Sequence, residues 1–262
     1  MSLSGQIRRS IIEESKRAHV GHIGSALSIA DLLAALFGRI LDVPSADDLE
    51  RDRFVLSKGH AALGLYAALV ATGRMGEDDL HTYCQDGTAL GAHPEHVVTG
   101  IDFSTGSLGH GASIAAGAAL AARLQGSPRR AFALLSDAEC NEGSTWEAAM
   151  FAAHHGLSNL ILIVDVNGQQ ALGYTRDVMD LDPLAARWHA FGWDVHEVDG
   201  HDVDGLADEV HALDTAHGRP HVLLAQTTFG KGVSYMESKI EWHYLPMSDE
   251  QYEQALAELE AA

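Results

Sequence analysis

Two cysteines, Cys84 and Cys140, are all that this chain contains. They allow neither a disulfide framework nor a zinc-finger spacing, and such sparing use of thiols fits a reducing compartment. Positive charge is scarce as well: 17 Lys and Arg stand against 37 Asp and Glu, a net charge of −20. With no basic surplus to neutralise phosphates, non-specific binding to nucleic acid or to an anionic membrane is excluded. No apolar run approaches the length of a membrane span. The N-terminal stretch MSLSGQIRRSIIEESKRAHV lacks the apolar core of a secretory signal. Internal repeats and low-complexity linkers are missing too. The expectation is a soluble, cytoplasmic protein.

What is present is a 262-residue chain that is 46% hydrophobic, enough for one large α/β domain or two small ones. Residues 5–18 have amphipathic helical spacing. ALSIADLLAALFGRI, residues 26–40, predicts a helix buried on several sides. Residues 52–57 read as a short strand that stops at Lys58-Gly59-His60 and feeds a helix from Ala61. Further helices are expected at 76–84, 112–124, 204–217 and 248–262, with a helix ending over 188–192. Strands are expected at 131–135, 160–164, 193–198 and 221–226. Such alternation predicts a mainly parallel sheet with helices on both faces.

The stretch from Ala131 to Gln170 carries the densest signal. An apolar strand ends in Ser136-Asp137-Ala138, and a helix follows, with Ser144 and Glu147 at capping-box spacing. The next strand ends in Asp165, and Asn167 comes two residues later. A right-handed crossover puts Asp137 and Asn167 on the same edge of the sheet, at the carboxyl ends of neighbouring strands. A carboxylate, an amide oxygen and a nearby carbonyl are hard ligands suited to Mg²⁺ holding a diphosphate. The same residue types also serve as helix N-cap and turn former, and the residues alone leave both readings open.

Sixteen histidines are many for an acidic chain. His22, His60, His93 and His110 stand in loops with Gly or Pro, and His243 follows a glycine loop. Converging over one sheet edge, such histidines could exchange protons with a hydroxylated substrate near neutral pH. His93 with His96, and His217 with His221, have metal-binding spacings but no clear third ligand. The glycine turn at 106–111 follows no long strand and has no ribose-binding acid at the expected distance, so a dinucleotide site fails.

Taken together these motifs resemble the N-terminal, thiamine-diphosphate-binding half of transketolase, and most closely the transketolases split into two polypeptides. The resemblance covers nearly the whole chain: GHIGSALSIADLLAALF at 21–37, DRFVLSKGHAALGLYAAL at 52–69, GAHPE at 91–95, STGSLGHG at 104–111, SDAECNEG at 136–143, WEAAMFAAHH at 146–155 and VDVNGQQ at 164–170. It implies a single diphosphate-binding domain over residues 1–262. It implies thiamine diphosphate with Mg²⁺ (or Ca²⁺ or Mn²⁺), held by the side chains of Asp137 and Asn167 and the carbonyl of Gln169. Ser136 and Ala138 flank the metal aspartate beside the cofactor. Gly106, Ser107 and Leu108 match the loop lying against the cofactor. His60 and His93 match histidines near the diphosphate and the reacting carbon. His22 matches a residue at the substrate carbonyl, His243 a later active-site histidine, and Glu142 an interface acid that communicates with the other active site.

Two positions depart from the family pattern. Ser136-Asp137-Ala138 stands where Gly-Asp-Gly is usual, and Ile23 where many relatives have proline. Full transketolases continue into pyrimidine-binding and C-terminal domains, expected here on a separate chain. The implied assembly is a heterotetramer with that companion subunit, transferring a two-carbon ketol unit between sugars. The alternatives are another two-chain thiamine-diphosphate enzyme, such as the decarboxylating part of a 2-oxo acid dehydrogenase, and a non-catalytic scaffold or regulatory subunit; SKGHA and GAHPE favour transketolase.

Overall fold

In the computed structural model residues 1–216 and 218–261 are described. The chain begins with α1 (Leu3–Ala18), capped by the Ser2 hydroxyl, which accepts from the Gly5 amide. Where one helix over 26–40 is expected there are three pieces: α2 (Ile23–Ser28), α3 (Ala30–Ala35) and a wider π turn (Leu36–Ile40). The break falls at Ile29, whose backbone leaves the helical region at φ −99°, ψ 7°. Just before it the Ser28 hydroxyl is drawn away to Asp165. Then come β1 (Arg53–Leu56), α4 (Ala62–Ala71), α5 (Glu77–Leu80), α6 (Gly111–Leu124), β2 (Ala131–Ser136), α7 (Gly143–His154) and β3 (Leu160–Val166). A small hairpin of β4 (Gln169–Gln170) and β5 (Gly173–Tyr174) follows, with the short α8 (Thr175–Val178). The chain continues through α9 (Leu184–Ala190), β6 (Asp194–Asp199), α10 (Val203–Ala212), β7 (His221–Gln226) and α11 (Asp249–Ala261).

The main sheet has the order β1-β2-β3-β7-β6, and every pairing in it is parallel. Its two faces bury two separate apolar clusters. One joins the sheet to α1, α3, α4 and α10 through Ile7, Leu33, Tyr66, Phe132 and Leu223. The other joins it to α6, α7 and α9 through Ala115, Ala149, Trp188 and Leu162. The expected layering is therefore present. β2 and β3 are buried on both sides, which is why they read as continuous apolar runs rather than alternating ones.

Two helices are shorter than the periodicity suggests. α5 covers only Glu77–Leu80 of 76–84, and α10 stops at Ala212. Residue 217, the end expected for the latter, lies outside the described residues. The capping box is also placed differently. α7 starts one residue before Ser144, with Glu142 at its N-cap and no side-chain cap among the described residues. Ser144 instead donates to the Gly109 carbonyl. The reciprocal box is Ser136 with Glu139, at the same sequence spacing, over a 3-10 turn from Asp137 to Asn141. That turn leaves β2 at the sheet edge, so capping there fixes the peptide on which Asp137 is carried.

Among the described residues no helix is long and apolar enough to cross a membrane.

Candidate active site

β2 and β3 run in register, with Ser136 opposite Asp165. The residues just beyond, Asp137 and Asn167, therefore leave the sheet side by side at its carboxyl edge. Asp137 is 8% exposed, and its carboxylate accepts the Ala138 and Gly168 amides. Burial first, and repulsion from Asp165 second, push its carboxyl up to about 7.

Asp165 is the centre of a buried polar node. It accepts from Lys58 Nζ, from the Ser28 and Thr227 hydroxyls and from Asn167 Nδ2. Lys58 and Asp165 both have side chains at 0% exposure. Asn167 is thus held by its NH₂ end, which also donates to Ser28. Its Oδ1 points the other way and accepts the Gln169 amide. The turn-forming role open to Asn167 is therefore real. A carbonyl-type oxygen has a second lone pair, so the turn does not use up its ligand capacity.

Three histidines close the cavity from above. His22, His60 and His243 form a triangle, with ring centroids 5.3, 5.4 and 5.6 Å apart. His22 starts α2 in a left-handed conformation, φ 61°, and its amide donates to the His243 carbonyl. His60 sits on the turn after β1 and is hydrogen-bonded to Ser25 at 2.8 Å. His243 lies in a 3-10 turn (Ile240–His243) and is stacked on Phe229. Burial, the neighbouring histidines and Lys58 lower all three, His60 far below its ordinary value and His243 to about 4. They are neutral imidazoles at physiological pH. The Nδ1 atoms of His22 and His243 have no hydrogen-bond partner among the described residues.

His22, His60, His93, His243, Leu108, Ser136, Ala138, Glu142, Asn167 and Gln169 line one cavity of about 310 Å³. Asp137 faces a neighbouring cavity on the other side of the same turn. Gly106 lies against the His93 ring, while Ser107 and His110 are exposed and do not line the cavity. Glu142 is exposed at the rim. His96 bonds to Ser104 instead of pairing with His93, and His217 lies outside the described residues.

Glycine is required where the loops cross. Gly109 has φ +83°, and a Cβ there would meet Ser144 Oγ at 2.5 Å. The Gly109 amide donates to the buried Glu139 carboxylate, which Ser57 also contacts. Glu139 thereby ties three loops together. Sequence reasoning does not single it out, nor Lys58, Asp165, Ser28 and Thr227 as parts of the site. A signal exists for two of them. A lysine directly after an apolar strand, and an aspartate inside LILIVDV, must be partnered if buried.

Among the described residues no three His, Cys, Asp or Glu side chains cluster to hold a metal. A cation here would have to draw on a mixed oxygen set: the Asp137 carboxylate, Asn167 Oδ1 and the Gln169 carbonyl. The charge distribution fits such an ion. Three buried carboxylates, Asp137, Glu139 and Asp165, lie around Lys58, an excess of acidic groups that a hard cation would offset. Ser136 and Ala138 are small enough to leave the cavity open beside it.

Comparison with known proteins agrees with this geometry. Residues 2–260 match the family model described as transketolase, thiamine diphosphate binding domain. The chain is 41% identical over 257 residues to an apulose-4-phosphate transketolase subunit from Actinobacillus succinogenes, covering 97% of this chain and 93% of that one. It is 42% identical over 257 residues to 6-deoxy-6-sulfo-D-fructose transketolase subunit SqwG of a Clostridium species, at 97% and 94% coverage. Against human transketolase it is 36% identical, over 98% of this chain but only 41% of that protein. The crystal structure of Campylobacter jejuni transketolase superposes with a TM-score of 0.91 at 27% identity, covering 99% of this chain and 42% of that one. The chain thus spans nearly the full length of the relatives named as subunits, and about two fifths of the single-chain enzymes. It belongs to the transketolase family and forms its thiamine diphosphate-binding domain.

Proposed function

We propose that this chain is the cofactor-holding subunit of a two-chain transketolase, moving a two-carbon ketol unit from a ketose to an aldose. The observation that carries the proposal is the triangle of neutral histidines above a buried, cation-deficient group of carboxylates. The turn at Asp137, which separates this cavity from its neighbour, is suited to a metal-bound diphosphate, and the histidine-lined cavity to a hydroxylated carbon chain.

Asp137, Asn167 and the Gln169 carbonyl would hold Mg²⁺, with Ca²⁺ or Mn²⁺ as substitutes, and through it the diphosphate. Bound thiamine diphosphate supplies the electron sink that lets a carbon–carbon bond next to a carbonyl break. The chain's own residues do the rest. Lys58 and Asp165 lock the Asn167 amide so that its oxygen faces outward. Ser136 and Glu139 fix the turn that carries Asp137. The imidazoles of His22 and His243, whose Nε2 atoms no protein group engages among the described residues, can donate to a developing alkoxide or take a proton from a sugar hydroxyl. Neutral imidazoles suit both directions, and a permanent imidazolium would suit only one. His60, held by Ser25, and His93, at the cavity mouth, narrow the path along which the sugar enters. Gly106, Ser107 and Leu108 form the loop beside the cofactor.

Glu142 at the rim faces a companion subunit carrying the pyrimidine and C-terminal domains, in a heterotetramer of two chains of each kind. The subunit names of the two-chain relatives support a companion. Two free cysteines, one of them exposed, support a reducing, cytoplasmic setting. The relatives named for apulose 4-phosphate and for a sulfonated fructose support testing branched and sulfonated sugars beside the ordinary ketose phosphates.

The test is ketol transfer from D-xylulose 5-phosphate and from such sugars to an aldose acceptor. It uses the chain purified with its companion, Mg²⁺ and thiamine diphosphate. Transfer by the pair and not by either chain alone is expected. Full activity of this chain by itself would refute the two-chain reading, and no transfer with any donor would refute ketol transfer.

A further inference from the structure

One polar side chain of the cavity has no role in this scheme. Gln169 opens β4 and is 4% exposed, yet both Oε1 and Nε2 of its carboxamide are buried without a hydrogen-bond partner among the described residues. Its carbonyl, not its side chain, belongs to the cation set. A buried amide left unpaired costs free energy, and natural structures rarely keep one without a use. The neighbouring polar groups are engaged. Asn167 is shared among Ser28, Asp165 and the Gln169 amide. Ser25 is bonded to His60, and Ser136 caps its turn. Two histidines lining this cavity, His22 and His243, likewise carry a buried Nδ1 without a partner among the described residues. Three chain segments thus bring residues with unmet hydrogen-bonding capacity to one cavity.

The backbone that carries Gln169 is tied down. β4 pairs with β5, Gln169 opposite Tyr174. The tip of the hairpin is latched from across the cavity mouth, where the Tyr244 hydroxyl donates to the Ala171 carbonyl. Tyr174 donates to the Ser238 carbonyl at 3.4 Å. Two tyrosines therefore hold the hairpin against the segment that carries His243, and the carboxamide stays inside.

The chemistry of the group narrows its ligand. A carboxamide offers two N–H donors and one acceptor oxygen. A phosphate only accepts and would leave Oε1 unmet. An ammonium only donates and would leave Nε2 unmet. A hydroxyl does both. We propose that Gln169 is a specificity-determining residue that hydrogen-bonds a hydroxyl of the sugar in this cavity. The proposal rests on the ketol-transfer reading above.

The test uses the complex with its companion, Mg²⁺ and thiamine diphosphate, comparing wild type with Gln169→Leu, which keeps volume and removes hydrogen bonding. Substrates are D-xylulose 5-phosphate and its analogues lacking the C1 or the C4 hydroxyl. For wild type, kcat/KM is expected to fall at least tenfold on loss of one of these hydroxyls. Gln169→Leu should lose tenfold or more on the parent sugar and under threefold on that analogue, collapsing the preference. Cofactor affinity measured by calorimetry should stay within threefold, and the melting temperature of the chain should hold or rise. An equal loss on every sugar, no loss on the parent, or a tenfold weaker cofactor overturns the proposal. If Gln169→Leu does not assemble, Gln169→Met makes the same comparison. Wild-type transfer with an unaltered variant refutes this inference alone, whereas absence of wild-type transfer refutes the ketol-transfer reading and this inference with it.

Discussion

Replacing Lys58 by methionine isolates the buried node on which the site is built. The lysine side chain and its partner Asp165 are both wholly buried. Methionine fills similar space, so the change removes the charge and little volume. It leaves Asp165 with three neutral donors, from Ser28, Thr227 and Asn167, and with a second buried carboxylate, Asp137, nearby. Breaking one side of a buried ion pair costs about 3–5 kcal/mol. For a chain of this size each kcal/mol moves the melting temperature by roughly 2–4 °C, so a drop on the order of 10 °C is expected from thermal unfolding of the purified chain. The double variant Lys58→Met/Asp165→Asn removes both charges and should recover at least half of that drop. Because Asp165 also holds Asn167, Mg²⁺-dependent cofactor affinity should fall in the single variant even below its melting range. A single variant within about 1 kcal/mol of wild type, the size of an exposed pair, would refute a structural role for the node.

Three further outcomes follow from the same geometry. His243 has its pKa lowered from 6.5 to about 4, so the unfolded chain binds more protons between those values. Its contribution to stability is complete above pH 6.5 and is lost as pH falls through about 4. His243→Phe should flatten the acid side of a stability–pH curve over that window, and an unchanged slope counts against its burial as a neutral imidazole. Gly109→Ala forces a side chain onto a positive φ and against Ser144. A loss of about 1–3 kcal/mol in denaturant unfolding is expected, and a neutral result would argue against the loop crossing. Ser136→Ala should cost about 1 kcal/mol by removing a cap, whereas Ser144→Ala should leave α7 helicity unchanged because Ser144 does not cap that helix; equal effects would reverse the two assignments.

Much of this architecture is legible because burial on both faces leaves a plain mark. β2 and β3 are unbroken apolar runs, and the polar residues just past them, Asp137 and Asn167, stand out by contrast. The histidines at 22, 60 and 243 are legible as candidates, since each stands in or after a glycine-bearing loop between patterned elements. What stays hidden depends on contacts distant in sequence. The Asp165 node joins residues 28, 58, 165, 167 and 227, and no local spacing reports it. The capping box is ambiguous because Ser136/Glu139 and Ser144/Glu147 share one spacing, and only packing of Glu139 against Ser57 and Gly109 distinguishes them. The break at Ile29 likewise falls beside Ser28, whose hydroxyl reaches Asp165, a partner 137 residues away.

The central claim is that Asp137 and Asn167 hold a metal-bound diphosphate at this sheet edge. Calorimetric titration of thiamine diphosphate into the chain assembled with its companion, with Mg²⁺ and with excess chelator, tests it most directly. Binding that requires Mg²⁺ and is lost in Asp137→Ala is the predicted result. Tight binding without Mg²⁺, or binding that survives Asp137→Ala, would contradict it.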